Sequence, residues 1–495
     1  MTITSISDSW DSDRRKNTGH FAYWLSLFGL AASDGLCFTL ASLLFRHGHS
    51  VPSLLIMNGG AAGNARSPID IFLILAIAFV LVRYLTGDYG RRQLFWDGTK
   101  LTTIALMVTA IPDVAMLFLA RGHFDILHVL AGWLFLIFAV PVMRQGARML
   151  LSLPGFWQIP TVMIGAGART AEIHDGLKHS LSLGFDVRWL VLDSPEATLP
   201  PSMASLRAVH SDDSARTALV MRNAGCKQAI VSAEDVQSTH FAQVVQRLLE
   251  VNIPVAIIPA FTRLPLAGVT TSYFFGRDIL MLQVRSNVQR LLWRIVKRSF
   301  DIAGSLAMLI ILSPLFVILA IAIKRSSPGP ISYSQTRVGR HGVPFKCIKL
   351  RTMVSDAEEA LRRWSLENPC LYEEYLKTFK LKDDPRITPI GKWLRRTSLD
   401  ELPQLWNVLR GNMSLVGPRP VVARELEEYY GPAAQLYMRT RPGMTGLWQV
   451  SGRSDTSYER RIILDEWYIL NWSFWYDIVI LVQTAWIVLS GKGAV

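Results

Sequence analysis

Cysteine is scarce in this chain: there are four in 495 residues, Cys37, Cys226, Cys347 and Cys370, with no Cys-x-x-Cys pair. That scatter excludes a disulfide framework and a zinc finger, and it fits a reduced, cytoplasmic setting for the water-exposed parts. Histidine does little: His174, His179, His210 and His240 lack metal-ligand partners at useful spacing and are read as solvated. Acidic residues are the minority charge, 39 against 52 Lys and Arg, for a formal net charge of +13. A basic surface attracts nucleic acid, anionic headgroups or phosphorylated substrates. No nucleic-acid-binding motif is present, so no nucleic-acid partner is expected. The polar segment 1–20 precedes the first apolar run, which has no small-residue cleavage signature and reads as an anchor, not a removed leader.

What the chain has is apolar length. Half of it is hydrophobic and the mean hydropathy is +0.25. Four apolar segments, Phe21–Phe45, Ile69–Leu85, Leu101–Leu119 and Phe124–Val142, each approach the roughly 20 residues that cross a bilayer as a helix. Arg14, Arg15 and Lys16 precede the first, Arg91, Arg92 and Lys100 separate the second from the third, and Arg144 and Arg148 follow the fourth. The other two loops carry few cations, so the positive-inside rule places both ends of a four-helix transmembrane domain, 21–150, in the cytoplasm. A buried helical core is the alternative, and the alternating flanking charge argues against it.

The region 151–285 changes character. Ile159–Ile164 reads as a buried strand, and Val187–Leu192, Gln228–Ser232 and Ile253–Ile258 as further strands, separated by helical patterns such as Phe241–Leu249. Strand and helix alternation predicts a parallel, doubly wound, Rossmann-like module. The first strand runs into Gly165-Ala166-Gly167, but Thr170 stands where a dinucleotide fingerprint has its third glycine; Asp193 stands where an acidic residue would meet a ribose. Both a structural module and a nucleotide site are compatible with this turn, and the missing glycine favours the first.

From 286 to 495 the chain is basic and rich in arginine. The apolar segment Ile302–Ile323 has Ser313-Pro314 at its centre, where proline breaks a helix and leaves carbonyls to be satisfied. Arg294, Lys297 and Arg298 precede it and Lys324 and Arg325 follow it, so a return to the same face is favoured over a full crossing. Trp467, Trp472, Trp475 and Trp486 suit either a headgroup level or a core.

Thr397–Pro420 carries the chemistry. Asp400-Glu401 is a carboxylate pair beside Pro403, and Gly417-Pro418-Arg419-Pro420 fixes an arginine on a stiff loop. A carboxylate can attack phosphorus, and cations offset the charge of the leaving group. The bland reading is a capping box, with Ser398 as cap and Glu401 three residues on; Pro403 weakens it. Phe345–Met353 alternates Lys346, Lys349 and Arg351 with apolar residues, which predicts a strand with its cations on one face. Arg386, Arg396, Arg419, Arg441 and Arg453 complete the candidate phosphate ligands, a surface salt bridge being the alternative for each. Trp448 could stack on a base or simply be packed.

The texts KRSFDIAGSLAMLIILSPLF, FKCIKLRTM, FKLKDDPRIT, TSLDELPQLWNVLRGNMSLVGPRP and RPGMTGLWQVSGR are similar to the bacterial polyprenyl-phosphate sugar-1-phosphate transferases of the monotopic kind, over Leu292–Gly491. The upstream spans and Rossmann-like module resemble the long members of that family. The resemblance implies an α-helical membrane protein with α/β modules, at the bacterial inner membrane with its catalytic domain on the cytoplasmic face. The implied reaction moves hexose 1-phosphate from UDP-hexose, galactose before glucose, to undecaprenyl phosphate, as the first step of O-antigen or exopolysaccharide synthesis. It also implies Asp400 as nucleophile and Glu401 as its partner, with Mg2+ at both, a helix broken at Ser313 and Pro314 that re-enters among membrane lipids, and a homodimer-forming or regulatory middle module. Glu401 would hold the metal or help deprotonate the lipid phosphate. Two rivals are a nicotinamide-dependent oxidoreductase built on Ile159–Leu192 and a non-catalytic scaffold for polysaccharide export. The scaffold would tolerate loss of Asp400, Glu401 and Arg419.

Overall fold

The computed structural model describes residues 16–45, 71–119, 126–165, 167–178, 180–192, 201–211, 213–259, 269–273, 280–283, 291–354, 357–367, 384, 386–452 and 457–490. The chain divides into two units, Met1–Ala260 and Phe261–Val495.

Each of the four apolar segments folds as a helix: α1 (Lys16–Phe45), α2 (Ile71–Leu85), α3 (Phe95–Leu119) and α4 (Ile126–Ser152). The first begins at Lys16, inside the polar segment 1–20. Their shared core contains Phe38 from α1, Phe72 and Phe79 from α2, Leu106 from α3 and Trp133 from α4. Outward-facing Leu, Ile and Phe side chains, such as Phe28, Ile77, Val108 and Phe138, are exposed, as in a bundle whose solvent is not water. Buried charge is paired: Arg144 Nε donates to Asp34 at 2.7 Å and Tyr89 Oη to the same carboxylate at 2.8 Å. Asp88 accepts from Arg144 Nη1 at 3.0 Å and pairs with Arg83. Among the described residues, α1 over Phe21–Phe45 and α4 are long and apolar enough to cross a membrane.

Five parallel strands follow, β1 (Ile159–Ile164), β2 (Phe185–Leu192), β3 (Arg207–His210), β4 (Gln228–Ser232) and β5 (Val255–Ile258), in spatial order β3-β2-β1-β4-β5. That order has its reversal beside β1, the doubly wound arrangement expected from strand and helix alternation. The helices α5 (Ala168–Lys178), α6 (Ser214–Asn223) and α7 (Thr239–Glu250) pack on it. In α7, Phe241, Val244, Val245 and Leu248 recur at helical spacing and bury against the sheet. The strand β3 was not expected, and β2 and β5 start two residues away from their expected starts. His174 in α5 is buried, not solvated, and burial lowers its pKa.

The fingerprint turn is plugged. Gly165 has φ +107°, and a Cβ there would overlap the Asp235 carboxylate, which accepts from Thr170 Oγ1 at 2.7 Å. An acidic side chain thus occupies the space a phosphate would need, which favours the structural reading of the turn. Asp193 and His179 lie outside the described residues.

The second unit opens with a short antiparallel pair, β6 (Thr270–Tyr273) and β7 (Leu280–Gln283). Helix α8 (Leu291–Ile311) then meets α9 (Ser313–Ser326) at a bend of 60°. Ser313 Oγ donates to the Ile310 carbonyl at 2.7 Å, so the hydroxyl satisfies a carbonyl freed by the break. Both limbs attach to this same unit. Arg298 of α8 donates to the carbonyls of Val408 and Leu409, and Lys297 pairs with Asp477 at 2.6 Å. Asp301 accepts from Ser414 Oγ and Leu415 N, both at 3.1 Å. Leu319 and Ile323 of α9 pack with Leu350 and Leu394. Around the bend Ile310, Ile311, Val317 and Ile318 are exposed. The hairpin of β8 (Ser332–Val338) and β9 (Pro344–Leu350) follows, then helix α10 (Ala357–Glu367), further short helices, and a parallel pair of β10 (Ser414–Val416) with β11 (Gly443–Thr445). Trp472 is core, bonded through Nε1 to Asp477, whereas Trp486 is exposed.

Candidate active site

The carboxylate pair sits on a connection between two helices. The first, Pro389–Thr397, starts at Thr388, whose Oγ1 accepts from Gly391 N at 3.0 Å, with Pro389 in the first turn where a missing N–H costs nothing. Gly391 is required there, because a Cβ would overlap the Thr352 carbonyl. That helix ends at Ser398, which has φ 57° and ψ 18°. A left-handed residue other than glycine costs about 1–2 kcal/mol. A single 3-10 turn, Leu399–Glu401, carries the pair, and the helix Gln404–Arg410 starts just after Pro403.

This geometry overturns the capping-box reading. Ser398 closes one helix and leads into the 3-10 turn in a left-handed conformation, and its side chain makes no cap hydrogen bond. Pro403 precedes the next helix, where its lack of a donor is harmless.

Strand β9 brings Lys349 to the pair. Asn407, buried in the helix after the pair, accepts from Ile348 N at 3.0 Å and donates Nδ2 to the Lys346 carbonyl at 2.8 Å. Strand and helix are thereby locked in register, and Lys349 Nζ meets Glu401 Oε1 at 2.7 Å. The alternation of the strand places Lys346 on the face opposite Lys349, so the expected single cationic face does not form.

Asp400 is buried, and its carboxyl is pushed up to about 6 by burial and then by the negative charge of Glu401. Lys349 and Arg395 pull the other way without cancelling the rise. At neutral pH most of Asp400 is ionised, but it is a more basic, more nucleophilic carboxylate than a free one. Arg395 is held by Thr352 Oγ1 at 3.0 Å and feels the charges of both Asp400 and Asp384. Asp384 in turn clasps Arg386 through bonds of 2.8 and 2.6 Å. The connected group is therefore Lys349, Glu401, Asp400, Arg395, Asp384 and Arg386.

The other expected ligands lie apart from it. Arg396 is exposed; its neighbour Arg395 takes the position toward Asp400. Adjacent arginines at a helix end gave no signal for choosing between them. Arg351 is buried, with Nη2 on Ser327 carbonyl and Oγ at 2.6 and 2.9 Å, while Nε and Nη1 have no hydrogen-bond partner among the described residues. The loop of Arg419 is clamped by Gly443 N, which donates to Pro418 O at 2.8 Å; a Cβ on Gly417 would strike the Arg441 carbonyl. Arg419 and Arg461 both lie over the Trp448 ring, at 5.3 and 4.9 Å. Trp448 is buried under two guanidiniums and is not open to a nucleobase. Arg441 donates Nε to Gly411 O at 2.8 Å. Arg453 lies outside the described residues.

Among the described residues no cluster of three or more His, Cys, Asp or Glu forms a complete metal cage. Two adjacent carboxylates nevertheless fit a hard divalent ion that takes its remaining ligands from water and a diphosphate, as magnesium does.

Residues 292–491 match the family described as bacterial sugar transferase. The chain is similar to undecaprenyl-phosphate galactose phosphotransferase of Salmonella typhimurium, 37% identical over 412 residues, covering 82% of this chain and 84% of that one. It is similar to UDP-galactose-lipid carrier transferase of Erwinia amylovora, 38% identical over 408 residues with coverage of 82% and 84%. It also resembles UDP-glucose:undecaprenyl-phosphate glucose-1-phosphate transferase of Escherichia coli, 39% identical over 208 residues, or 41% and 42% of the two chains.

Proposed function

The chain belongs to the bacterial sugar transferase family, and from that premise we propose that it transfers hexose 1-phosphate from UDP-hexose to undecaprenyl phosphate, with release of UMP. The observation that carries this reading is Asp400, a buried, basic carboxylate beside Glu401 and Lys349. A carboxylate oxygen of Asp400 bonds to the β-phosphorus while the bond from that phosphorus to the bridging oxygen breaks; UMP leaves with the electron pair. A phosphate oxygen of undecaprenyl phosphate then attacks the same phosphorus. The acyl–phosphate bond breaks, Asp400 regains its carboxylate, and a lipid diphosphate sugar is formed. Lys349 holds Glu401 in place, and Arg395 adds positive charge near Asp400. Asp400 and Glu401 would hold magnesium, which when bound offsets charge on the diphosphate.

The donor proposed is UDP-galactose, on the names of the two relatives that cover most of the chain. The Escherichia coli relative, matched over less of its length, is named for glucose, so UDP-glucose is the second reading. Membranes given a panel of UDP-sugars with undecaprenyl phosphate should release UMP fastest with UDP-galactose. Faster release with UDP-glucose would reverse the assignment. In the absence of acceptor, labelled UDP-hexose should leave acid-stable, hydroxylamine-labile label on Asp400; failure to trap any labelled protein would overturn the covalent step.

The product would feed O-antigen or exopolysaccharide assembly at the bacterial inner membrane. Four crossings by α1–α4, and re-entry by α8 and α9 from the cytoplasmic face, are part of the same proposal. Re-entry is supported by the attachment of both limbs to one unit and by the apolar exposure at the bend. Cysteines placed at Arg294 and Lys324 should react with an impermeant reagent from the same side of the membrane.

A further inference from the structure

At the foot of α8, a cavity of about 310 Å³ opens beside Trp472 and Tyr468. It lies toward the end of the helix Gln404–Arg410 opposite to the carboxylate pair, because Arg298, which lines it, bonds the carbonyls of Val408 and Leu409 in the last turn. Neither Asp400 nor Glu401 lines it. Its cations are Arg294, Lys297, Arg298, Arg340, Arg439 and Arg441, against one lining carboxylate, Asp301. That carboxylate is oriented by Ser414 Oγ and Leu415 N and makes no ion pair with the lining arginines, and Lys297 pairs with Asp477.

The five arginines have no acidic partner among the described residues. Three are oriented by carbonyl oxygens instead: Arg298 as above, Arg441 by Gly411, and Arg340 through Nε by the Arg439 carbonyl at 3.2 Å. An Nε anchor leaves both terminal nitrogens of Arg340 and Arg441 free to form a fork. The side chains of Arg294 and Arg439 make no hydrogen bond or ion pair among the described residues. Burial and then neighbouring guanidiniums lower the pKa of Arg441, with Asp301 offsetting only part of the fall, and burial and then Arg294 lower that of Arg340, as like charges held together do. A fold that gathers five guanidiniums from three separate segments, pins three of them to carbonyls and sets a single carboxylate among them has built a receptor for an external anion.

We propose that this cavity binds a phosphate group, as a second anion site separate from the carboxylate pair. The terminal forks match phosphate oxygens, and the apolar rim of Leu291 and Ile295, both exposed, suits a ligand that continues into hydrocarbon as well as one that ends at phosphate. The phosphate comes either from a soluble diphosphate or from a membrane lipid headgroup, and the two sources are separable. The inference does not depend on which residue attacks phosphorus.

The test uses the full chain in phosphatidylcholine nanodiscs, titrated calorimetrically with inorganic pyrophosphate. The comparison variant is the double substitution Arg294→Gln and Arg439→Gln, both at exposed positions that tolerate change. Loss of two charge-assisted contacts should weaken binding by about tenfold or more, while Asp400→Asn should leave it unchanged. In a second arm, nanodiscs doped with phosphatidic acid are analysed by native mass spectrometry. Heat in the first arm that the double variant loses assigns a soluble source. Retained phosphatidic acid that the double variant loses assigns a lipid source. Neither signal in the unsubstituted chain, equal signals in the double variant, or a signal abolished by Asp400→Asn alone would overturn the proposal.

Discussion

Two turns in this chain each place an aspartate where a phosphate is expected, and they differ in what surrounds the carboxylate. In the Rossmann-like module, Asp235 fills the space beneath Gly165 and is bonded by Thr170 Oγ1 at 2.7 Å. In the second unit, Asp400 stands in a one-turn bend, raised to about 6 by burial and by Glu401, with Lys349 and Arg395 near enough to pull it back. The first carboxylate closes a cradle, and the second keeps its charge poorly satisfied and available. A glycine-rich turn therefore says less about phosphate chemistry than does the balance between a buried charge and its partners.

The comparison is broken or sharpened most directly by replacing each carboxylate with its amide. Asp400→Asn should lower transfer of labelled hexose phosphate into extracted lipid by about 10³-fold or more, as loss of a nucleophile does. Asp235→Asn should leave the same rate within about twofold, because it touches no reacting group; an equal loss in both would erase the distinction. Lys349→Met comes next. It frees Glu401 and removes a cation that holds the Asp400 pKa down, so kcat should fall by about 10–100-fold and the acidic limb of the pH–rate profile should move to higher pH. An unmoved limb would separate Lys349 from Asp400.

In the unsubstituted chain that limb should lie near pH 6, with transfer falling about tenfold per pH unit below it as Asp400 is protonated. The stability consequence has the opposite sign to that of a salt-bridged carboxylate. A folded pKa above the unfolded value favours the fold most when the group is protonated, and that contribution is lost as pH rises through about 6. Asp400→Asn should therefore keep or raise the Tm at pH 7 while abolishing transfer, and a marked fall in Tm would point to a structural role. The smallest effect on transfer belongs to Gly165→Ala. The added Cβ meets the Asp235 carboxylate at a φ that disfavours it, so thermal stability of the module should drop by about 1–3 kcal/mol while transfer stays within about twofold.

Much of this was legible in the sequence. Apolar length located α1–α4 because a helix with few charged positions has few alternatives. Runs such as Ile159–Ile164 were legible because a strand buried on both faces is apolar throughout. The break at Ser313 and Pro314 followed from proline chemistry alone. Other features depend on contacts that spacing does not encode. The strand β3, Arg207–His210, is only four residues long with one buried apolar side chain, Val209, and it pairs along the edge that β2 offers. The choice of Arg395 over Arg396 depends on where helix Pro389–Thr397 docks. The left-handed Ser398 defeats a local capping pattern because tertiary packing fixes where that helix stops. The burial of His174 and the two guanidiniums over Trp448 likewise depend on packing that the local pattern does not reveal.

The bend between α8 and α9 has a last consequence. Each limb is fastened to the body that carries Asp400, one through Arg298 and Lys297, the other through Leu319 and Ile323. A peg bolted at two points cannot slide. With the bend seated in lipid, as proposed, the height of the carboxylate above the lipid surface would be written into the fold as a constant, and a water-borne donor and a greasy acceptor would meet at one level without any tether having to measure it.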